Sequence, residues 1–420
     1  MSKTKTGITF ASLILLISVV LNMGGCVLPV QAEDLMHGII PNEVEGTENL
    51  DSANPDASDF AVRLFKESAK TGENTLISPL SLMCALAMTA NGADGKTLEQ
   101  MEAALGMSKS QLNSYLYTYV NSLPQGDKYK LNIANSIWFT EDQRFEVNPD
   151  FLQVNADYYG ADVYKAPFDS QTLRDINNWV KKETDGMIPK VLRDIPPEAV
   201  MYLVNALAFE AEWSEIYEDH QVRDGKFTKE DGTVQNVEMM YASEGKYLND
   251  GLAQGFIKYY SGRKYAFAAL LPNEGVSISD YISSLDGRAL NSLLESAENR
   301  RVKTAIPKFE TEYEAQMSDT LIALGMTDAF DIDVADFKNL GTSKEGNIFI
   351  NRVIHKTYIK VGERGTKAGA VTVVEMNDTA SADSPDEIKV VYLDRPFLYM
   401  LIDCENNVPF FIGALTDAKK

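Results

Sequence analysis

The chain has 420 residues, 45% of them hydrophobic and 10% aromatic, with 61 acidic residues against 39 basic ones and a net charge of -22. The apolar share is enough for a sizeable core and excludes a chain that is disordered as a whole. The acidic balance excludes nucleic acid and anionic membrane surfaces as partners, because both demand a basic footprint.

The N-terminus reads as an export signal. Lys3 and Lys5 precede the apolar run 8–21, which is shorter than a membrane span requires. Two processing routes stay open. Val30-Gln31-Ala32 offers a small-residue cleavage site, giving a signal peptide over 1–32; Met23-Gly24-Gly25-Cys26 resembles a degenerate bacterial lipobox, which makes Cys26 a lipidation site. The first route predicts a secreted, extracellular protein, the second one lipid-anchored at the outer face of a bacterial membrane. Residues 33–55 are acidic and polar, carry no apolar period and read as a leader or tether. One domain is expected over 56–420.

Helices dominate the first part. Phe60, Leu64 and Phe65 share a face over 57–70, and Gly72 stops that helix. A buried helix over 76–92 opens on Ser78-Pro79, with proline in the first turn. Further helices are predicted over 97–104, 109–122, 148–158 and 172–183, with a strand over 131–139. From residue 200 the pattern changes to short β-rich runs at 200–209, 227–228, 234–240, 256–260 and 266–271. A helix at 289–297, a strand at 302–310, a helix at 314–324 and a long strand at 348–360 follow. Strands at 390–393, 397–402 and 409–415 close the chain. The class is α+β, with large, mostly antiparallel sheets.

No catalytic constellation stands out. The three histidines are His37 in the leader, His220 in a polar loop and His355 within a β run. G-x-S-x-G, H-E-x-x-H, a phosphate loop and Cys-x-x-Cys are all absent, so no enzyme activity, metal or cofactor is assigned. His355 reads as a core histidine. After Cys26 only Cys84 and Cys404 remain, too few for a disulfide framework.

Residues 362–387 contain no Leu, Ile, Phe, Tyr or Trp. They read as a strand drawn out of its sheet. The surrounding segment FINRVIHKTYIKVGERGTKAGAVT (349–372) resembles the hinge of the serpins, a family of serine protease inhibitors. NTLISPLSLMCALAMTANGADGKTLEQM, LVNALAFEAEW, IPKFETEYEAQMSDTLIALGMTDAF and DRPFLYMLIDCENNVPFFIGAL resemble further family landmarks in the same order.

The resemblance implies the serpin fold: about nine helices around three mostly antiparallel β-sheets, with an exposed reactive centre loop at about 363–390. It implies a hinge of Glu363, Gly365, Thr366, Ala368, Gly369 and Ala370. A breach of Trp213, Lys308 and Glu363 follows, with Lys308 and Glu363 paired. A buried polar shutter of Ser78, Ser81, Asn205 and His355 completes the working parts.

It further implies a suicide-substrate mechanism. The target protease forms an acyl-enzyme on the loop, and the cut loop then enters the main sheet as a new strand. Thr366 is expected to be the first hinge residue to enter, facing the core. Family spacing from Glu363 puts the bait bond at Thr379-Ala380, in a loop longer than the family's usual one. Small residues there suit elastase-like or subtilisin-like serine proteases, held in a covalent 1:1 complex. Lys109 is the only basic residue in 107–123, so no heparin site is expected. The free protein is expected to be a monomer capable of loop-sheet polymerisation. The alternative is a non-inhibitory serpin acting as a carrier or passive substrate. No proline interrupts 366–377, which favours the inhibitor.

Overall fold

The computed structural model of the protein describes residues 31–141, 145–196, 199, 201–344, 347–366 and 388–419. Nine α-helices lie among them. α1 (Asn54–Ser68) carries proline in its first turn and buries Phe60, Leu64 and Phe65 on one face. α2 (Pro79–Ala90) is capped by Ser78 and buried along its whole length, as a helix apolar on every side must be. α3 (Gly95–Leu105), α4 (Lys109–Ser122), α5 (Pro149–Tyr159) and α6 (Ser170–Glu183) follow, then α7 (Ile278–Ser284), α8 (Gly287–Glu295) and α9 (Ser318–Ala323). Each of α3 to α6 starts on an Asp, Ser or Asn whose side chain accepts a first-turn amide.

The strands, in chain order, are β1 (Glu33–Asp34), β2 (Thr75–Ile77), β3 (Tyr129–Thr140), β4 (Phe145–Val147), β5 (Asp162–Ala166) and β6 (Met201–Glu212). Then come β7 (Val222–Thr228), β8 (Val234–Asn249), β9 (Ala253–Tyr259), β10 (Tyr265–Pro272), β11 (Glu298–Pro307) and β12 (Phe309–Gln316). The last are β13 (Gly341–Ser343), β14 (Ile354–Gly362), β15 (Gly365–Thr366), β16 (Lys389–Tyr392), β17 (Phe397–Asp403) and β18 (Pro409–Leu415).

They form three sheets. The first runs β1-β5-β3-β6-β15-β14-β12; the second runs β16-β11-β8-β9-β10-β17-β18-β2 with β7 on β8; the third pairs β13 with β4. Among the described residues only β3·β5 and β11·β16 are parallel ladders. The two large sheets share a core in which Phe209, Tyr260, Tyr265 and Phe410 meet edge to face. A smaller core lies on the outer face of the first sheet, where α6 sets Ile176, Trp179 and Val180 against Trp138, Tyr202 and Val204. The α+β class, with nine helices among the described residues around three mostly antiparallel sheets, is as the sequence predicted.

The tether expected over 33–55 is instead docked. Glu33 and Asp34 pair with Lys165 and Tyr164 on the edge of the first sheet. Asn42 donates from backbone and side chain to Asp157, and the Thr47 amide donates to Thr118 Oγ1. These hydrogen bonds hold the segment together with Leu35, Met36, Leu50 and Ala53, which pack half-buried against the main core but follow no period that hydropathy could show. The helix expected over 314–324 begins only at Ser318, because Ala315 and Gln316 still pair with His355 and Ile354.

Candidate functional site

The site is the junction between β6 and β14 in the middle of the first sheet. The chain reverses after β14 and sends β15 back between the two strands. Val361 pairs with Thr366 and Gly362 with Gly365 on one side. Gly365 pairs with Glu212 and Thr366 with Ala211 on the other. Among the described residues, β6 and β14 meet directly only lower down, at the parallel bridge Leu203↔Val353. Gly365 has φ 153°. A Cβ on it would stand 2.0 Å from the Ala211 carbonyl oxygen, so only glycine fits this approach.

Thr366 is therefore already in the sheet, one step ahead of the sequence expectation. It is 2% exposed, and its hydroxyl hydrogen-bonds that of Tyr260 in the core. Its alternate residues in the chain share that core-facing side if the strand continues.

The upper end of the junction is the predicted breach. Trp213 Nε1 donates to the Gly362 carbonyl at 2.8 Å, and the Trp213 amide donates to the Arg364 carbonyl at 2.9 Å. The Tyr217 amide donates to the Glu363 carbonyl at 2.9 Å. The Trp213 ring stacks on Tyr260 with centroids 4.3 Å apart. Lys308 Nζ lies 3.2 Å from Glu363 Oε2 and 3.2 Å from Glu238 Oε2. A hydrogen bond from its own backbone, then Lys308, hold the Glu363 carboxyl below its ordinary pKa. Burial alone would depress Lys308, but the two carboxylates raise it above the usual lysine value.

Below the junction lies the predicted shutter, and the structure brings its four residues together. The Ser78 amide donates to His355 Nε2 at 3.0 Å. The Ser81 amide donates to Ser78 Oγ at 3.3 Å, and Ser81 Oγ donates to Asn205 Oδ1. Asn205 Nδ2 passes the chain to Asn135 Oδ1 on β3. Helix α2 is thus tied to β14, β6 and β3 through one polar network. Burial pushes the His355 pKa down to about 4, so the ring is neutral and free to accept.

Sequence reasoning missed Asn135, Tyr217, Glu238 and Tyr260. Asn135 had a signal, an amide in the middle of the otherwise largely apolar strand LNIANSIWF. Tyr217 and Tyr260 had none. Ala368, Gly369, Ala370, Thr379, Ala380 and Cys26 lie outside the described residues. Among the described residues no group of three or more His, Cys, Asp or Glu could hold a metal ion.

Residues 55–418 match the family model for serpin (serine protease inhibitor). An uncharacterized serpin-like protein of Thermococcus kodakarensis is 29% identical over 367 residues, covering 86% of this chain and 84% of the relative. The native state of the thermophilic serpin tengpin superposes with a TM-score of 0.87 at 49% identity, over 92% of this chain and 100% of that one. Its latent state gives 0.79 at 47% identity, over 89% and 99%.

Proposed function

The chain belongs to the serpin family of serine protease inhibitors, and from that premise we propose that it is a suicide-substrate inhibitor of serine endopeptidases. The observation that carries this reading is β15. Two hinge residues already sit between β6 and β14, antiparallel to both, and the same register continues downward to the Leu203–Val353 bridge.

In the reaction the protease serine attacks the carbonyl of the bait bond, proposed at Thr379-Ala380. The C–N bond breaks, the amine leaves on the C-terminal fragment, and an ester joins the inhibitor to the enzyme. The released segment then extends β15. Residues 367–374 would lie opposite 210–203 on β6 and opposite 360–354 on β14 and Val353 just before it. Each ladder bond formed contributes about 1 kcal/mol net. On the core-facing side follow Ala368, Ala370, Thr372 and Val374, small residues first, so the strands separate little at the start. The tethered protease is carried along and distorted, its oxyanion stabilisation is lost, and the ester persists.

The residues around the bait, Met376 to Ala382, include no Arg, Lys or aromatic side chain, which supports elastase-like or subtilisin-like targets. The export signal supports action outside the cell, free or lipid-anchored through Cys26.

Incubation with an elastase-like protease followed by a denaturing gel tests this function. A covalent band heavier than either partner, with a released peptide that begins at or near Ala380, is expected. Cleavage without that band would make the protein a passive substrate. Faster inhibition of trypsin than of elastase would overturn the target class.

A further inference from the structure

Lys258, on β9, is 2% exposed, and most contacts of its ammonium converge on one short segment. Its ammonium has three donors and no acceptor. One reaches Glu244 Oε1 at 2.9 Å, and another the Glu215 carbonyl at 3.3 Å. The ammonium also lies over the Tyr217 ring, 4.5 Å from its centroid, and 5.3 Å from that of Trp213. Three of these four contacts belong to residues 213–217. The same segment grips the turn ahead of β15, taking the carbonyls of Gly362, Glu363 and Arg364 in succession. The segment is thus held from beneath by a buried cation while its amides hold the start of the inserting strand.

We infer that Lys258, oriented by Glu244, is a positioning residue for loop insertion: it fixes residues 213–217 so that the turn 362–364 holds Thr366 in register before cleavage. The inference rests on the inhibitor reading for its consequence, but not for its geometry. A strand that starts in register needs no search for its first pairs, and insertion races against hydrolysis of the ester. Loosening the segment slows the first step and lets more inhibitor be cut without trapping. A surface lysine could not do this, because water would compete for its contacts and its side chain would move.

A cavity of about 230 Å³ opens against Lys258, Glu244, Ser214 and Arg263. It leaves room for a rearranged or hydrated side chain in variants. Lys258→Met keeps the volume and removes the charge, Glu244→Gln keeps the cation and weakens its orientation, and Lys258→Arg restores a cation. The primary readout is amide hydrogen exchange in the full chain at Trp213 and Tyr217, which needs no protease. Lys258→Met should exchange there about tenfold faster or more, with peptides from β17 and β18 unchanged. Glu244→Gln should shift the same amides in the same direction, and Lys258→Arg should bring them back.

The second readout is the number of inhibitor molecules consumed per protease inactivated, expected to rise about threefold or more in Lys258→Met. Unchanged exchange at Trp213 and Tyr217 in both Lys258→Met and Glu244→Gln would overturn the inference. So would a rise spread evenly over the core strands, the mark of general destabilisation. If Lys258→Met does not fold, Glu244→Gln decides alone. Should the unaltered protein trap no protease, the inhibitor reading falls, and the exchange data still decide the role of Lys258.

Discussion

The Thr366 hydroxyl hydrogen-bonds the Tyr260 hydroxyl in the core between the two large sheets, and both residues are at least 98% buried. Thr366 is thus held both by its strand partners and by the core. Tyr260 also stacks on Trp213, so one tyrosine joins β15 to the segment that grips the preceding turn.

An arginine at Thr366 would have to bury a charge where, among the described residues, the threonine side chain meets the Tyr260 hydroxyl and no carboxylate, at a cost of several kcal/mol. Thr366→Arg should expel β15 from its place between β6 and β14 while leaving the rest of the fold intact. The barrier to insertion rises, and about 1.4 kcal/mol is enough to slow that step tenfold. The variant should be cut by the target at a normal rate and trap little of it. The ratio of cleaved to covalent product measures this, and near-unit stoichiometry would exclude hinge insertion as the trap.

Breach interactions should rank in an order that exposure dictates. The Lys308 and Glu363 side chains are 30% and 45% exposed, so their ion pair is well screened. Glu363→Ala should cost about 0.5 kcal/mol, the ordinary value for such pairs. Trp213 is 1% exposed, and Trp213→Phe loses the Nε1 bond and leaves the Gly362 carbonyl without that donor. That change should cost about 1–3 kcal/mol. Urea unfolding of both variants checks the order, and a larger loss in Glu363→Ala would contradict it.

The main features were legible where one residue type had one physical explanation. Ser78-Pro79 announced the start of α2, and the spacing of Ile176, Trp179 and Val180 announced the buried face of α6. The shutter and the Lys308–Glu363 pair followed from resemblance rather than from period. Segment 33–55 was misread because polar bonds to Asp157 and Thr118 and a few irregularly spaced apolar residues, Leu35, Met36 and Leu50, hold it, and neither leaves a period in hydropathy. β12 was misread although its burial alternates, with Phe309 and Thr311 inward and Glu310 and Glu312 outward. Its second half, where Tyr313 and Ala315 are only half-buried, also fits a helix start. Tyr217, Tyr260 and Lys258 gain their roles from chain reversals that bring 213–217 to 362–364, which no local pattern encodes.

His355 predicts a pH dependence with a definite sign. Its folded pKa of about 4 lies below the ordinary 6.5. Between those values the unfolded chain binds a proton that the folded chain refuses, so stability rises with pH through that window. The contribution is complete above about pH 6.5 and is lost as pH falls towards 4, with about 3 kcal/mol at stake. Protonation would also take from the Ser78 amide the acceptor that ties α2 to β14. Unfolding at pH 7 and pH 4.5 should show a smaller difference in His355→Gln than in the unaltered chain. Equal differences would assign the acid sensitivity to other groups.

The last prediction concerns the strand that β15 begins. Its two residues pair on both sides, and among the described residues the two flanking chains next meet at the bridge between Leu203 and Val353, just ahead of β14. While the loop is intact, its far end is anchored where the chain resumes at β16 in the other large sheet. That anchor limits how far β15 can lengthen. A cut within 375–382 removes the limit without removing any contact of the described fold. The freed segment can then add ladder bonds to β6 and β14 at once and bury its small core-facing side chains, at about 1 kcal/mol for each bond. Such a sum exceeds any ordinary substitution, which moves the melting temperature by roughly 1 °C per kcal/mol in a chain of this size. Nicking by a protease that is not itself trapped should therefore raise the melting temperature by tens of degrees or so. The check is a pair of thermal scans before and after nicking, with the cut mapped by mass spectrometry. An unchanged curve after a mapped cut would mean that β15 does not extend, and the protein would then be a non-inhibitory member of its family.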